Sequence, residues 1–242
     1  TTLIYEIFPR AVHACNVAGW GGVAFSGGVD STMLAHLCNT MKHDVTLLTV
    51  GFDNSHDVWY SREVSCVLGL PHYTHIIQKN EFYSVYDIIN DKIDEKSLSW
   101  RENCTAFYFV HKLAEKYNLN TIITANGIDE LYCGYDVYRR IYDKGVDVIL
   151  SVMSDKIKNE ITMLHTISKI CNITMHNPFL GRDFIDYSLT VPLYEKVRGS
   201  DDYIRKHIVR AAAEQMGLPH KICYKRKKSL QYGTRIHHNI PL

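Results

Sequence analysis

The residues at positions 26 to 32, with the sequence SGGVDST, have the types and spacing needed to bind a phosphate group. Gly27 and Gly28 allow an anion to approach the backbone N–H groups, and the helix expected to follow directs its positive end to the same place. Asp30 would repel a phosphate beside it, unless Mg²⁺, which binds both carboxylate and phosphate oxygens, lay between them. The loop therefore predicts a phosphate site that requires Mg²⁺.

Two common nucleotide-binding loops are excluded by the same residues. The segment lacks the G-K-[ST] ending of a Walker A motif and the G-x-G-x-x-G spacing of a dinucleotide-binding turn. An ordinary strand-to-helix turn, in which Asp30 or Ser31 caps the helix, is the structural alternative. The complete heptad favours the phosphate site over that alternative.

Other residues could take part in chemistry, but each has a structural explanation as well. Asp129 could bind a cation, or it could cap a helix, as Asp commonly does at a helix start. Asp57 could contact a nucleotide or favour a helix N-terminus, and its residue type does not separate these readings. The basic run from Lys225 to Lys228 is, by itself, most simply a solvated surface.

The elements that must position these residues follow from the hydrophobic pattern. Apolar runs predict strands, and 3.6-residue periodicity predicts the helices between them. Alternating strands and helices indicate an α/β fold with a Rossmann-like parallel sheet and helices on both faces. The predicted strands are 20–25, a segment from Val45, 72–78 and a segment from Thr121; the predicted helices include 81–95, 103–117 and one from a cap at Asn54 or Ser55 to about Leu68.

Beyond Leu131 the pattern is mostly helical, and the tail 231–242 is poorly patterned. Because no linker composition marks a boundary, we expect one domain over residues 1–242. Its sheet part would span about 18–140 and its helical C-terminal extension about 141–242.

The composition excludes several classes of protein. The 242 residues are 46% hydrophobic and 22% charged, which suits a globular core and argues against disorder. A net charge of +1 gives no general attraction to nucleic acid or anionic membranes. Seven cysteines without a C-x-x-C pair, the absence of a secretory signal and the absence of a long apolar run predict a cytoplasmic protein without a membrane partner.

The heptad at the end of the first predicted strand resembles the PP-loop of the N-type ATP pyrophosphatase superfamily. Members of that superfamily cleave ATP between the α and β phosphates and adenylate a substrate. The resemblance implies an adenine nucleotide alpha hydrolase-like fold, with Asp30 as an Mg²⁺ ligand. It also implies pyrophosphate contacts from Ser26, Gly27, Gly28, Val29, Ser31 and Thr32.

Downstream segments are similar to the asparagine synthetase family. NGIDELYCGY at 126–135 resembles its G-E-G-x-D-E-L-F-G-G-Y motif, and HNPFLGRDFIDYSLTVP at 176–192 resembles its P-F-L-D segment before a helix. Residues 201–229 resemble its basic stretch ending in R-x-K. The resemblance implies that Asp129 is a second Mg²⁺ ligand and that Lys228 is the cationic catalytic residue. It also implies ATP contacts from Val50, Gly51, Asp57, Ala125, Asn126, Gly127 and Lys206, and it aligns Arg210 and Arg226 with basic positions.

Two departures from this family pattern affect the expected reaction. Asn126 occupies the acidic position of G-E-G, and because an amide cannot take a proton at neutral pH, any acid–base work needs another group. The first strand begins near residue 22, which leaves no room before it for the family's N-terminal glutaminase domain. We therefore expect free ammonia, a separate glutaminase subunit or another amine to supply the nitrogen.

The expected function is ATP-dependent adenylation of a carboxylate, aspartate-like by family default, followed by transfer to ammonia or an amine with release of AMP and pyrophosphate. An RNA-modifying PP-loop enzyme is an alternative, although the missing C-x-x-C and the small basic patch argue against a nucleic-acid partner. A non-catalytic nucleotide-binding protein is a further alternative, suggested by Asn126.

Overall fold

The computed structural model describes residues 2–15, 21–93 and 97–240. In this part of the chain the strands are β1 (Gly21–Ala24), β2 (Val45–Gly51), β3 (His72–Ile76), β4 (Thr121–Ile123) and β5 (Thr174–His176). The α-helices are α1 (Thr2–Ala14), α2 (Val29–Thr40), α3 (His56–Leu68), α4 (Lys79–Lys92), α5 (Leu98–Lys116), α6 (Ile128–Leu131), α7 (Asp136–Arg140), α8 (Val146–Cys171), α9 (Arg182–Thr190), α10 (Leu193–Lys196), α11 (His207–Gln215), α12 (His220–Cys223) and α13 (Leu230–Gly233). Short 3-10 turns cover Tyr142–Lys144, Pro178–Leu180 and Ile236–Asn239.

The sheet has the strand order β3-β2-β1-β4-β5, and every neighbouring pair is parallel. This arrangement confirms the predicted α/β class with a parallel sheet. From β1 the chain proceeds to β2 and β3 on one side, whereas β4 and β5 add to the other side. Strand order therefore reverses between β1 and β4, and in open parallel sheets ligands bind beyond the carboxyl ends of the strands at such a reversal.

The chain divides into two compact units. The sheet unit comprises Ala18–Thr124, Met163–His176 and Lys228–Leu242, and the helical unit comprises Thr1–Val17, Ala125–Thr162 and Asn177–Lys227. All five strands lie in the sheet unit. The organisation of residues 1–242 as one domain stays a prediction.

Helix α3 shows how local signals set the ends of an element in the sheet unit. The Ser55 hydroxyl accepts a hydrogen bond from the backbone N–H of Val58, which satisfies one donor of the first turn. Gly69 ends the helix with φ +64°, a left-handed conformation that glycine adopts without steric cost. The predicted helix from Asn54 or Ser55 to about Leu68 is confirmed, with Ser55 as its cap.

An aromatic cluster packs the helical unit. Phe8 from α1 lies 5.1 Å from the ring of Phe184 and 5.4 Å from that of Phe179, in edge-to-face arrangements. Tyr132 joins the same cluster, and its hydroxyl accepts a hydrogen bond from Ser188. Aromatic burial of this kind supplies much of the hydrophobic stabilisation of a small unit.

Strand β5 and helix α1 are among the elements that the sequence did not predict. Strand β5 has only three residues and pairs on one side alone, with β4, so it lacks the long apolar run of a central strand. Helix α1 contains Pro9, although Ile4, Phe8 and Val12 recur at helical spacing and are buried. Parts of three predictions, at Trp20, at Glu95 and at the last two residues of the tail, lie outside the described residues.

Over the residues that the structure describes, no helix combines the length and apolar character needed to cross a membrane.

Candidate functional site

The glycine loop joins β1 to α2, at the edge of the sheet where strand order reverses. Gly28 immediately precedes α2, and its carbonyl accepts the first helical hydrogen bond, from the Thr32 N–H, at 2.9 Å. Gly27 has φ +76°, and a Cβ there would lie 3.2 Å from the Cα of Ser61. Glycine is therefore required at position 27 both by the backbone conformation and by the close approach of α3.

Hydroxyl groups hold this loop in shape. The Ser31 hydroxyl donates to the carbonyl of Gly28 at 3.2 Å and lies 3.3 Å from the Ser26 hydroxyl, which accepts from the N–H of Gly28. Thr32 and Val29 are buried, whereas Ser26, Gly28 and Asp30 are half-exposed. The half-exposed groups, together with the N-terminus of α2, form the surface that could receive an anion.

The residues predicted to contact adenosine lie at and after the end of β2. Val50 and Gly51 are buried, and a Cβ at Gly51 would lie 2.6 Å from the Ser55 hydroxyl oxygen. Asp57 is buried in the first turn of α3, 3.0 Å from Nδ1 of His56, and a Cβ at Gly233 would collide with its carboxylate. This enclosure favours the structural reading of Asp57, and its nucleotide contact stays a prediction.

In the helical unit, Asp129 lies between two lysines. Its Oδ1 is 3.0 Å from Nζ of Lys206, and its Oδ2 contacts Nζ of Lys227. The Lys206 side chain is 2% exposed and that of Asp129 is 19% exposed, so the pairs are largely removed from water. Although burial alone would raise the pKa of Asp129, the two ammonium groups hold that pKa well below its usual value. The two lysines therefore favour the ionised form of the Asp129 carboxylate at the start of α6.

The basic run contributes Lys227 to this arrangement. Lys228, which the sequence analysis selected, is exposed and belongs to the sheet unit. Arg226 is also exposed and lies 5.2 Å from the ring of Tyr203. A role for Lys228 in catalysis stays a prediction, and Lys227 is a cation of the site that the sequence analysis missed.

Glu130, which follows Asp129, closes the loop around it. Its carboxylate accepts from the N–H of Gly127 at 2.9 Å and from the hydroxyl of Tyr135 at 2.5 Å. Its backbone carbonyl accepts from the hydroxyl of Tyr138 at 2.8 Å. Burial and the neighbouring charge of Asp129 raise the pKa of Glu130. We name this set of bonds, which spans residues 127–138, the Glu130 clasp.

The three residues that precede α6 include the position where the family pattern has an acid. Ala125 and Asn126 are half-exposed, whereas Gly127 is buried with φ +107°. A Cβ at Gly127 would collide with the carbonyl oxygen of Phe179, so glycine is needed there. The Asn126 side-chain amide donates to the carboxylate of Glu160, on α8.

Arg210 connects the segments that carry the two lysines. The residue is fully buried, and its guanidinium donates to the carbonyls of Ile204 at 2.9 Å and Arg205 at 2.8 Å, directly before Lys206. It also donates to the carbonyl of Lys225 at 3.0 Å, two residues before Lys227. The basic position predicted at Arg210 thus has a positioning role that the contacts explain.

Gly134 offers a direct test of how closely Asp129 is held. A Cβ added there would collide with the Asp129 carboxylate, and the Gly134 N–H donates to the Asp129 carbonyl at 2.8 Å. We expect Gly134→Ala to displace the Asp129 carboxylate and to slow the adenylation expected from the sequence by about 100-fold, since displacements near 1 Å can have such effects.

The matched control is Gly199→Ala, because a Cβ there would meet only the tip of the exposed Asp201 side chain. The rate of the expected adenylation would be measured as AMP release, and folding by circular dichroism. Equal rates for the two alanine variants would contradict the proposed role of the Asp129 position.

Three side chains of this arrangement were missed, for different reasons. Lys227 stands in a run of four adjacent cations, and the sequence gives no sign of which one turns inward. Tyr135 belongs to the quoted motif, but the motif does not show that its hydroxyl donates to the Glu130 carboxylate. Glu160 lies 25 residues beyond the end of the motif, on the long helix α8. Its place about one turn after the buried Ile157 is the sequence signal that could have indicated an inward-facing side chain.

Comparison with known proteins identifies what the chain is similar to. The family model described as asparagine synthase matches residues 4–165 and 158–240. A protein of Methanocaldococcus jannaschii with the assigned name glutamine-hydrolysing asparagine synthetase 1 is 26% identical over 249 residues, covering 88% of this chain and 45% of the relative. Glutamine-hydrolysing asparagine synthetase 1 of Bacillus subtilis is 26% identical over 120 residues, covering 49% of this chain and 18% of the relative.

The chain thus spans less than half the length of these curated relatives. Among solved structures, the NH3-dependent NAD synthetase of Campylobacter jejuni matches with a TM-score of 0.38 and 20% identity, covering 54% of this chain and 59% of that protein.

Proposed function

Because this chain belongs to the asparagine synthase family, we propose that it is an ATP-using PP-loop synthetase that adenylates a carboxylate substrate and transfers the acyl group to ammonia or an amine. The products would be AMP, pyrophosphate and an amide. An aspartate-like acid is the proposed substrate, since the curated relatives are named asparagine synthetases. A separate glutaminase is the proposed ammonia source, since those relatives are named glutamine-hydrolysing.

The observation that carries this proposal is the position of the SGGVDST loop. It lies at the carboxyl edge of the sheet, beside the reversal of strand order, and it leads directly into the N-terminus of α2. Backbone N–H groups of such a turn stabilise negative charge that accumulates on a leaving pyrophosphate. The geometry of the loop is held by the serine hydroxyls, so its donors need little rearrangement when the charge develops.

The residues of the site suit Mg²⁺, the proposed cofactor. Mg²⁺ prefers carboxylate and phosphate oxygens and often takes only one or two protein carboxylates. In the sheet unit, Asp30 is a half-exposed carboxylate in the first turn of α2, and in the helical unit two lysines favour the ionised form of Asp129. When bound, the metal would neutralise phosphate charge as a Lewis acid. Lys206 and Lys227 would add positive charge near Asp129.

The proposal is tested by incubating the full chain with α-labelled ATP, MgCl₂, L-aspartate and ammonium chloride. We expect labelled AMP and pyrophosphate whose formation depends on the amino acid. Labelled ADP, or AMP that forms only when RNA is added, would overturn the proposal and favour a different PP-loop chemistry. ATP binding without any turnover would favour a nucleotide-binding protein.

Asp30→Asn provides the residue-level test of the loop. We expect at least about a 100-fold loss of AMP formation, because the metal would lose a charged ligand. Asp44→Asn is the control, since Asp44 is exposed and immediately precedes β2. It therefore lies at the amino ends of the strands, whereas the glycine loop lies at their carboxyl ends. Equal turnover by the two variants would argue against a metal ligand at Asp30.

A further inference from the structure

The side chains of Asn126 and Glu160 form a pair within the helical unit. Nδ2 of Asn126 donates to Oε1 of Glu160, although 34 residues separate them in sequence. Glu160 lies on α8 three residues after the buried Ile157, so its side chain is on the inward face of that helix. The structure thus brings a carboxylate to position 126, where the chain itself has an amide.

The surroundings of Glu160 make this pairing hard to explain by packing alone. Burial, followed by the nearby charge of Glu130, raises the pKa of Glu160 to about 8, and the charge of Asp129 acts in the same direction. The hydrogen bond from Asn126 and the charge of Lys227 oppose this rise. A third carboxyl group beside two others is electrostatically unfavourable, and such arrangements are typical of functional sites.

We propose that Glu160 is the general base of the amine-transfer step and that Asn126 holds its carboxylate in position. The inference rests on the proposed function, whose second step requires an amine to lose a proton. Asn126 cannot accept that proton, whereas the carboxylate bonded to it can. The bond from Asn126 uses Oε1 of Glu160, and the proposal assigns the amine proton to the other carboxylate oxygen, Oε2.

The lone pair of the amine nitrogen forms a bond to the acyl carbon of the acyl-adenylate, and the bond from that carbon to the phosphate oxygen breaks. AMP leaves with the electron pair. One proton passes from the nitrogen to the carboxylate of Glu160, which later releases it to water. No oxidant or reductant is needed.

The experiment separates the two half-reactions of the full chain, with L-aspartate and ammonium chloride as probes. Adenylation is followed by exchange of labelled pyrophosphate into ATP, and transfer by the formation of asparagine. We expect Glu160→Gln to lower asparagine formation by at least about 100-fold, with a much smaller effect on the exchange. Asp155→Asn, an exposed position on the same helix, is the control.

The pH dependence of the transfer rate distinguishes a general base from a residue that has only a structural role. Because the base acts when ionised, the transfer rate of the wild type should rise as the pH increases through about 8, and the Glu160→Gln variant should lack this rise. The titratable or charged groups that face the pair are Asp129, Glu130, Tyr135 and Lys227. The side-chain amide signals of Asn126 in a ¹⁵N spectrum should shift over the same pH range and should stop shifting in Glu160→Gln.

An exchanged pair gives the decisive result. The double variant Asn126→Glu, Glu160→Gln has a carboxylate at position 126. We expect it to form asparagine at least about ten-fold faster than Glu160→Gln alone. The inference would be overturned if Glu160→Gln formed asparagine at the wild-type rate, or if the Asn126 amide signals of the wild type did not shift with pH. Absence of pyrophosphate exchange in the wild type would instead overturn the proposed adenylation, which is a separate failure.

Discussion

Replacing Asp129 with asparagine is expected to lower AMP formation from ATP by at least about 1,000-fold. The carboxylate is the charged partner of Lys206 and Lys227, and it is the proposed metal ligand of the helical unit. The amide keeps the size of the side chain but loses the charge. Because Lys206 would remain buried without its charged partner, we also expect a loss of about 3 kcal/mol in the free energy of unfolding.

The competing reading of Asp129 is a helix cap, and it makes a different prediction. Loss of a favourable charge at a helix start lowers stability by only about 1 kcal/mol and leaves chemistry intact. Asp147→Asn is the matched control, because Asp147 is an exposed aspartate in the first turn of α8. If Asp129→Asn retained turnover and behaved like Asp147→Asn in urea denaturation, Asp129 would be a cap and not a functional residue.

Arg210→Met is expected to lower the free energy of unfolding by at least about 3 kcal/mol. The guanidinium is fully buried and donates to four backbone carbonyls, those of Ile204, Arg205, Cys223 and Lys225. Methionine fills a similar volume but leaves these acceptors without their donor. Each buried group that loses its partner costs about 1–3 kcal/mol.

Arg182→Met is the control for this variant. The Arg182 side chain is 91% exposed, and its one charged contact, to Asp186, is 3.7 Å long. Surface pairs of this kind contribute little to stability. Urea denaturation followed by circular dichroism would measure both variants. An Arg210→Met protein as stable as Arg182→Met would show that the carbonyls of these segments find other donors.

The parts of the fold that the sequence predicts are those with local causes. The glycine loop, the cap of α3 at Asn54 or Ser55 and the end of α3 near Leu68 each depend on residues within a few positions, and the observed structure has them where the sequence predicts them. Strand β5 has no comparable local signal. It forms because β4 offers a free edge to pair with, and the sequence of Thr174–His176 does not reveal that edge.

In the candidate site, too, the residues with local sequence signals could be predicted and those that depend on distant contacts could not. The aspartate of α6 and the basic residues could be selected because each belongs to a motif whose own residues are close together in the sequence. The partners of that aspartate depend on contacts between residues far apart in the chain, such as Lys227, 98 positions away. The four adjacent cations at 225–228 carry the same charge, so the sequence does not distinguish them, and the structure shows that Lys227 contacts Asp129.

The Glu130 clasp has a consequence for ligand affinity. Its bonds to Gly127, Tyr135 and Tyr138 already fix the loop around Asp129 within the folded chain. Ordering a flexible loop upon binding would cost roughly 1–2 kcal/mol for each residue immobilised. Because the loop is already ordered in the folded chain, binding a phosphate need not lose this conformational entropy, and the contacts to the phosphate contribute more fully to affinity.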